Sequence, residues 1–323
     1  MATSLWIDTD TASDDAVAIL MALRSKEVDL LGISTVSGNV DVRQAARNAC
    51  YVVELSEAST PVYLGAERPL TRESVHAHFF HGSDGMGEMF YEPTLQPRSE
   101  EAVPVLIETI RANPGLLLVT LGPLTNIAAA ISIAPDVVDK IGRCVVMGGA
   151  ANVVGNITPA AEYNIWCDPE AAQRVFTSGV ALEMVGWELC RGSANLDDDE
   201  IAYLERELAT PYARFAVECN RSAIEANREW LGDPGLALPD PVAMAIALRP
   251  DICTRKSKHY VQVECQGALT RGMTVVDQLQ TVTVETKSVG EWRSIVNSGP
   301  PRTTVCWSID AGEWKRLLFD LLK

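Results

Sequence analysis

A chain of 323 residues with 47% hydrophobic content can bury a full core, as one large α/β unit as readily as two small ones, and we read one domain over 1–323. Its 43 acidic against 27 basic residues leave a formal charge of −16, a field that repels polyphosphates and nucleic acid and suits a neutral small molecule. Residues 1–5, MATSL, carry no basic run, and no apolar stretch reaches the roughly 18 residues of a membrane span, so no signal peptide and no membrane partner are expected, and the cytoplasm is the expected compartment.

Aliphatic and β-branched runs at 4–8, 28–36, 61–65, 116–121, 144–149 and 181–186 read as strands. Stretches of helical period at 13–25, 43–57, 99–112, 123–133 and 168–178 fit between them. This alternation predicts an α/β fold with an open, mainly parallel sheet flanked by helices, whose ligands sit at the carboxyl ends of the strands. The polar clusters Asp8–Asp15, Gly38–Asn39, Gly122–Asn126 and Gly148–Asn156 all fall just after a strand. Residues 66–98, rich in Gly, Pro, His and Phe, read as a mobile loop. Beyond residue 195 the pattern predicts helices at 197–208, 210–227 and 240–248, a loop at 228–238, extra C-terminal strands at 261–265, 281–286 and 303–309, and a closing helix at 310–322.

Eight scattered cysteines with no CxxC spacing read as buried free thiols and give no zinc framework. The chemistry concentrates elsewhere. The first strand ends in Asp8-Thr9-Asp10-Thr11-Ala12-Ser13-Asp14-Asp15, four carboxylates within eight residues. Helix capping by Ser13 or Asp14 accounts for one or two of them, whereas a bound hard cation accounts for all, since Ca²⁺ takes six to eight oxygen ligands. A strand followed by DxD also suits an aspartyl-phosphate phosphotransferase, but no GxxxxGK[ST] loop follows and the Asp14-Asp15 pair would repel a phosphate.

DTDTASDDAVAI resembles the DxDxxxDD signature of the inosine–uridine nucleoside hydrolase family. The likeness continues in order through SGNV at 37–40, HGSDGMG at 81–87, LGPLTNIA at 121–128, VVMGG at 145–149, GNITPAAEYNIWCDPEAA at 155–172, PDPVAMA at 239–245 and TRGMTVVD at 270–277. The resemblance implies a Rossmann-like sheet, hydrolysis of a ribonucleoside to ribose and free base in nucleoside catabolism, a Ca²⁺ ion, and a homodimer or homotetramer. It implies Asp10, Asp15, the backbone carbonyl of Leu121 and Asp240 as ligands, and Asp14 as the base that activates a calcium-bound water. Asp8 would support the loop without touching the ion. Asn39, Asn156, Glu162 and Asn164 match the positions that hold ribose hydroxyls, with Met147 beneath the sugar. Clamps of this kind tighten as the ring flattens toward an oxocarbenium-like state.

On the base side the chain departs from the family. Where one branch has His and another Trp before the last ligand, this chain has Pro239, so neither leaving-group mechanism carries over. His81 aligns with a family histidine close to the base, and Trp230, in CNRSAIEANREWLGD (219–233), reads as a stacking wall or a core plug, with Tyr163 as another wall. The other six Trp residues read as core. Two alternatives stay open: hydrolysis of a modified nucleoside or other N-riboside by the same site, and a calcium-dependent nucleoside-binding protein with little turnover.

Overall fold

The computed structural model describes residues 2–232, 235–279, 292, 294 and 302–323, with the side chains of 230 and 231 outside that set. In chain order the strands are β1 (Thr3–Thr9), β2 (Val28–Thr35), β3 (Val62–Leu64), β4 (Leu116–Thr120), β5 (Ile141–Met147), β6 (Leu182–Val185), β7 (Cys253–His259), β8 (Val261–Val263), β9 (Thr274–Val276) and β10 (Thr303–Ile309). The helices are α1 (Ser13–Arg24), α2 (Val42–Leu55), α3 (His78–His81), α4 (Ala102–Ala112), α5 (Thr125–Ile133), α6 (Tyr163–Cys167), α7 (Pro169–Thr177), α8 (Asp198–Tyr203), α9 (Pro211–Glu218), α10 (Arg221–Ala226), α11 (Pro239–Leu248) and α12 (Ala311–Leu321).

Eight strands form one sheet in the order β3-β2-β1-β4-β5-β6-β10-β7, and β8 pairs with β9 separately. Every pairing in the large sheet is parallel except that of β10 with β7. β1 alternates across the sheet: Leu5 and Ile7 enter one core with Val17, Leu20 and Ile246, while Trp6 enters the other with Leu106, Ile127 and Val175. Helices therefore cover both faces, as the near-continuous apolar strands require. The chain leaves β1 toward β2 on one side and reaches β4 on the other. That reversal opens a crevice beyond the carboxyl ends of β1 and β4, the position where open α/β sheets bind ligands.

Two helices aim their amino ends at this crevice. α1 carries Asp14 and Asp15 in its first turn, α11 begins with Pro239 and Asp240, and the two pack together. The positive ends of both helix dipoles thus face the carboxylates.

Several expectations need correction. The helix expected at 210–227 breaks at Cys219-Asn220 into α9 and α10, and a wide π-type turn at Asn227–Leu231 replaces the start of the expected loop. β7, β9 and α6 were not expected. β7 reads CTRKSKH with only its ends buried; its charges protect a sheet edge, and no apolar alternation announces it. Residues 66–98 contain α3 and are fastened by Leu70 N–H to Asp168 (2.9 Å), Arg72 to Glu170 and Arg98 N–H to Val62 O (2.8 Å). The strand expected at 281–286 lies outside the described residues. No helix among the described residues is long and apolar enough to cross a membrane.

Candidate active site

The crevice is a cavity of about 160 Å³. At its floor, one oxygen each from Asp14, Asp15 and Asp240 lies within 4.8 Å of the others, and all three residues are buried. Asp10, fully buried beside them, is wedged between glycines: a Cβ on Gly38 would collide with its Oδ2, and one on Gly122 would stand 2.7 Å from its Oδ1. Two of the Gly positions in SGNV and LGPL are thus required by one carboxylate.

Asp10 is held through one oxygen and open at the other, whereas both oxygens of Asp15 are held. Asp10 Oδ2 accepts Asn39 N–H at 2.6 Å, and Asp15 accepts the Thr9 hydroxyl at 2.5 Å and Ala12 N–H at 3.0 Å. Asp10 Oδ1, Asp14 Oδ1 and Asp240 Oδ1 are buried without a partner. Burial, then repulsion from Asp15, pushes Asp14 up to about 7 and Asp10 well above the carboxylate range. Burial and the charges of Asp14, Asp15 and Asp10 do the same to Asp240. Orphaned buried anions cost several kcal/mol unless a cation or protons compensate them. An all-oxygen set of this kind fits a hard dication better than a soft one. The Leu121 carbonyl at the end of β4 accepts Asn164 Nδ2 at 2.7 Å, which leaves its second lone pair.

Asp8 lies apart from this group. It accepts from the Ser34 hydroxyl and from Asn126 Nδ2 (2.8 Å), tying β1 to β2 and α5. Asn126 also donates to Thr35 O (2.9 Å) and accepts Ala66 N–H (2.8 Å). Although it lies within LGPLTNIA, Asn126 was not singled out from the sequence, yet it joins three segments under the floor.

The residues matched to ribose all line the cavity. Asn39 is buried beside Asp10, and Met147 ends β5 with its sulfur 3.4 Å from Asn164 Nδ2. Glu162 does more than face the cavity. It caps α6, its oxygens accepting N–H groups of Asn164 (2.9 Å), Ile165 (3.3 Å) and Gly149 (2.9 Å), and burial pushes it up to about 7. Asn156 accepts Tyr163 N–H at 2.9 Å, and the Tyr163 hydroxyl donates to Gly38 O (3.0 Å) and Val75 O (2.8 Å), so the tyrosine straps the loops around the rim.

On the opposite wall His81 is buried, and its Nδ1 pairs with the Ser13 hydroxyl at 2.7 Å. Burial pulls it down to about 3, so it is neutral, and the 3.9 Å to Asp14 Oδ1 is not an ion pair. Trp230's side chain lies outside the described residues. Trp187 is buried in the core as expected and also lines the cavity, with Nε1 on Val154 O (2.9 Å) and the Arg191 guanidinium 4.6 Å from its ring centroid. Asn220 and Asn227 join it, at 1% and 2% exposure, with Asn220 Oδ1 and Asn227 Nδ2 unpartnered. Asn227 falls in the 219–233 segment that the resemblance assigns to the base side, whereas Asn220, seven residues earlier on the same helix face, carries no sequence signal of its own.

The sequence profile of the inosine-uridine preferring nucleoside hydrolase family matches residues 5–316. An uncharacterised Schizosaccharomyces pombe protein is 40% identical over 280 residues, covering 85% of this chain and 89% of its own length. The pyrimidine-specific ribonucleoside hydrolase RihA of Escherichia coli K12 is 35% identical, with 100% of this chain and 99% of RihA aligned. Among solved structures, the plant nucleoside hydrolase PpNRh1 superposes with a TM-score of 0.91 at 30% identity, covering 100% of this chain and 99% of its own. The purine-preferring ribonucleoside hydrolase of Gardnerella vaginalis gives 0.87 at 30% identity over 99% of both chains.

Proposed function

We propose that this chain, which belongs to the inosine-uridine preferring nucleoside hydrolase family and is a nucleoside N-ribohydrolase, holds calcium with Asp10, Asp15, Asp240 and the Leu121 carbonyl and uses Asp14 as its catalytic base. Its membership sets aside the reading as a mere nucleoside-binding protein: the reaction hydrolyses the N-glycosidic bond of a ribonucleoside, a small-molecule substrate. The observation that carries the ion is the trio of partnerless buried oxygens on Asp10, Asp14 and Asp240. When bound, calcium supplies the positive charge those oxygens lack and makes a nearby water more acidic.

Asp14 Oδ1 takes the proton of the attacking water, for it is buried, unpartnered and beside the carboxylates that would hold the ion. Asn39, Asn156, Glu162 and Asn164 hold the sugar hydroxyls over Met147, and the hydrogen bonds strengthen as positive charge grows on the ring. His81, in the cavity lining, contacts the base in this reading, a role the sequence resemblance extends to Trp230. The base itself stays open between the two names borne by relatives, pyrimidine-specific and purine-preferring. Pro239 in the cavity wall offers no proton to a leaving base, which favours as second reading a modified nucleoside or other N-riboside whose base departs unaided. Residues 1–323 act as one nucleoside hydrolase domain in the cytoplasm, assembled as a homodimer or homotetramer, which light scattering tests.

The deciding experiment is reducing-sugar release from a panel of purine, pyrimidine and modified ribonucleosides, with and without a calcium chelator, for wild type and Asp14→Ala. Chelator-sensitive release that disappears in the variant supports the mechanism. Release that ignores the chelator overturns the calcium, and release undiminished in Asp14→Ala overturns the base.

A further inference from the structure

Away from the cavity, toward the amino ends of β5 and β6, lies a second convergence of metal-binding side chains. Glu183 on β6, Cys253 opening β7 and Cys306 on β10 each offer one donor atom, and the three atoms lie within 4.8 Å of one another. All three residues are buried, Cys306 completely and Cys253 with 8% of its surface exposed, enough to admit solvent on one side. The Cys306 thiol donates to Glu183 Oε1 at 3.5 Å. Asp240 belongs to the opposite end of α11, whose last carbonyls, Ile246 O and Ala247 O, accept Arg143 beside this cluster.

We propose that Glu183, Cys253 and Cys306 bind a thiophilic divalent cation of the zinc or cadmium class, which ties the edge strand β7 to β10 and β6. Around tetrahedral zinc, sulfur at about 2.3 Å and carboxylate oxygen at about 2.1 Å stand roughly 3.6 to 3.8 Å from one another, so only a small closure is needed. Water supplies the fourth ligand on the exposed side of Cys253.

Charge favours the same reading. Glu183 accepts from both Arg143 (2.6 Å) and Lys256 (3.0 Å), two cations on one carboxylate. That excess is balanced when a thiol ionises. An incoming dication takes Oε1 from Lys256, whose side chain is 39% exposed and can swing into water, while the two thiols release their protons to solvent. A disulfide fits less well. Cys253 stands opposite Ile309 in the β7–β10 register, three residues and two register shifts from Cys306, so the two cysteines are not facing partners in the ladder. Bridged cysteines need Cα atoms within about 7 Å.

The test uses the full chain, stripped with chelator and reduced, and titrated with Cd²⁺. Thiolate-to-cadmium charge-transfer absorption distinguishes this site from the all-oxygen floor of the cavity. Wild type is expected to reach saturation at one equivalent, with Cys253→Ser and Cys306→Ser each losing the absorption. Because Cys306 is fully buried and its variant can fail to fold, alkylation mapping of wild type with and without Zn²⁺ provides an independent arm, and zinc is expected to protect these two cysteines at least tenfold. No charge-transfer band, a band unchanged in Cys253→Ser, equal alkylation with and without zinc, or a Cys253–Cys306 disulfide formed by peroxide in a protein that takes up no cadmium would each overturn the proposal.

Discussion

The floor of the cavity and the wall formed by α3, α10 and the segment after β6 are built on different principles. On the floor, Asp10 and Asp15 are fixed by backbone N–H groups and a hydroxyl from their own loop or the next one, and their charges crowd. The wall is drawn from α3, the segment after β6, and α10, with Asn220 Oδ1 and Asn227 Nδ2 left unpartnered. The floor stores electrostatic energy that an ion can release, whereas the wall holds hydrogen-bonding capacity that a ligand or an ordered water can fill.

The largest effect should come from the floor. Asp14→Asn keeps the shape and removes the base, and kcat should fall by about 10²–10⁴-fold, the usual worth of positioned base catalysis. Thermal melting should not drop with it; a fall in both would mean that Asp14 acts structurally.

Glu162 sits between the two regimes, since it caps α6 and lines the cavity. Its folded pKa, about 7, is raised from 4.5 by burial, so the folded state binds its proton more tightly than the unfolded one. This contribution is complete below about pH 4.5 and is lost as pH rises through about 7, a span worth roughly 3 kcal/mol. With calcium saturating, wild-type stability should decline across that window more steeply than that of Glu162→Gln. Parallel curves would show that the carboxylate titrates in the fold as it does in water.

Asp240→Asn sharpens the contrast through a crossing. In chelator the variant should melt above wild type, because one crowded carboxylate is gone. In calcium at a hundredfold the dissociation constant, wild type should gain about 2.7 kcal/mol and overtake it. Curves that do not cross would remove the ion from the floor. The smallest effect belongs to the wall. Asn227→Ala deletes an unsatisfied donor, so stability should hold or rise, while kcat/KM should fall about fivefold, near 1 kcal/mol, for nucleosides whose base presents a carbonyl there. An equal loss for every base would make Asn227 a packing residue.

The same contrast governs what could be read from the sequence. DTDTASDD places four carboxylates within eight residues, and the βαβα period fixes which sheet end they occupy, so the acidic floor and the mainly parallel sheet were legible, though not the order of the strands. Asp240, far away in sequence, was reached through the family resemblance. The wall was legible only in part: His81 and the 219–233 segment were reached through the resemblance, whereas nothing in the sequence marks Trp187, a core residue, as also lining the cavity. Nor could periodicity find the break between α9 and α10, where Asn220 turns its amide onto Ala216 O at 2.9 Å. β7 was missed because a charged edge has no apolar signature. Residues 66–98 looked loose by composition, but Asp84 alone accepts N–H groups of Met86, Glu88 and Phe90.

The position of β10 in the sheet has a consequence for synthesis. β10 is inserted between β6 and β7, so β7 finds no partner in the large sheet until residues 303–309 have been made. On the ribosome, β6 and β7 wait with open edges while the helices that cover the rest of the sheet are already available. Long-range pairing of this kind is slow, and unpaired edges invite association between chains. Stalled or truncated translation products ending before residue 303 should therefore be the aggregating species, and the lysines of β7 guard that edge during the wait.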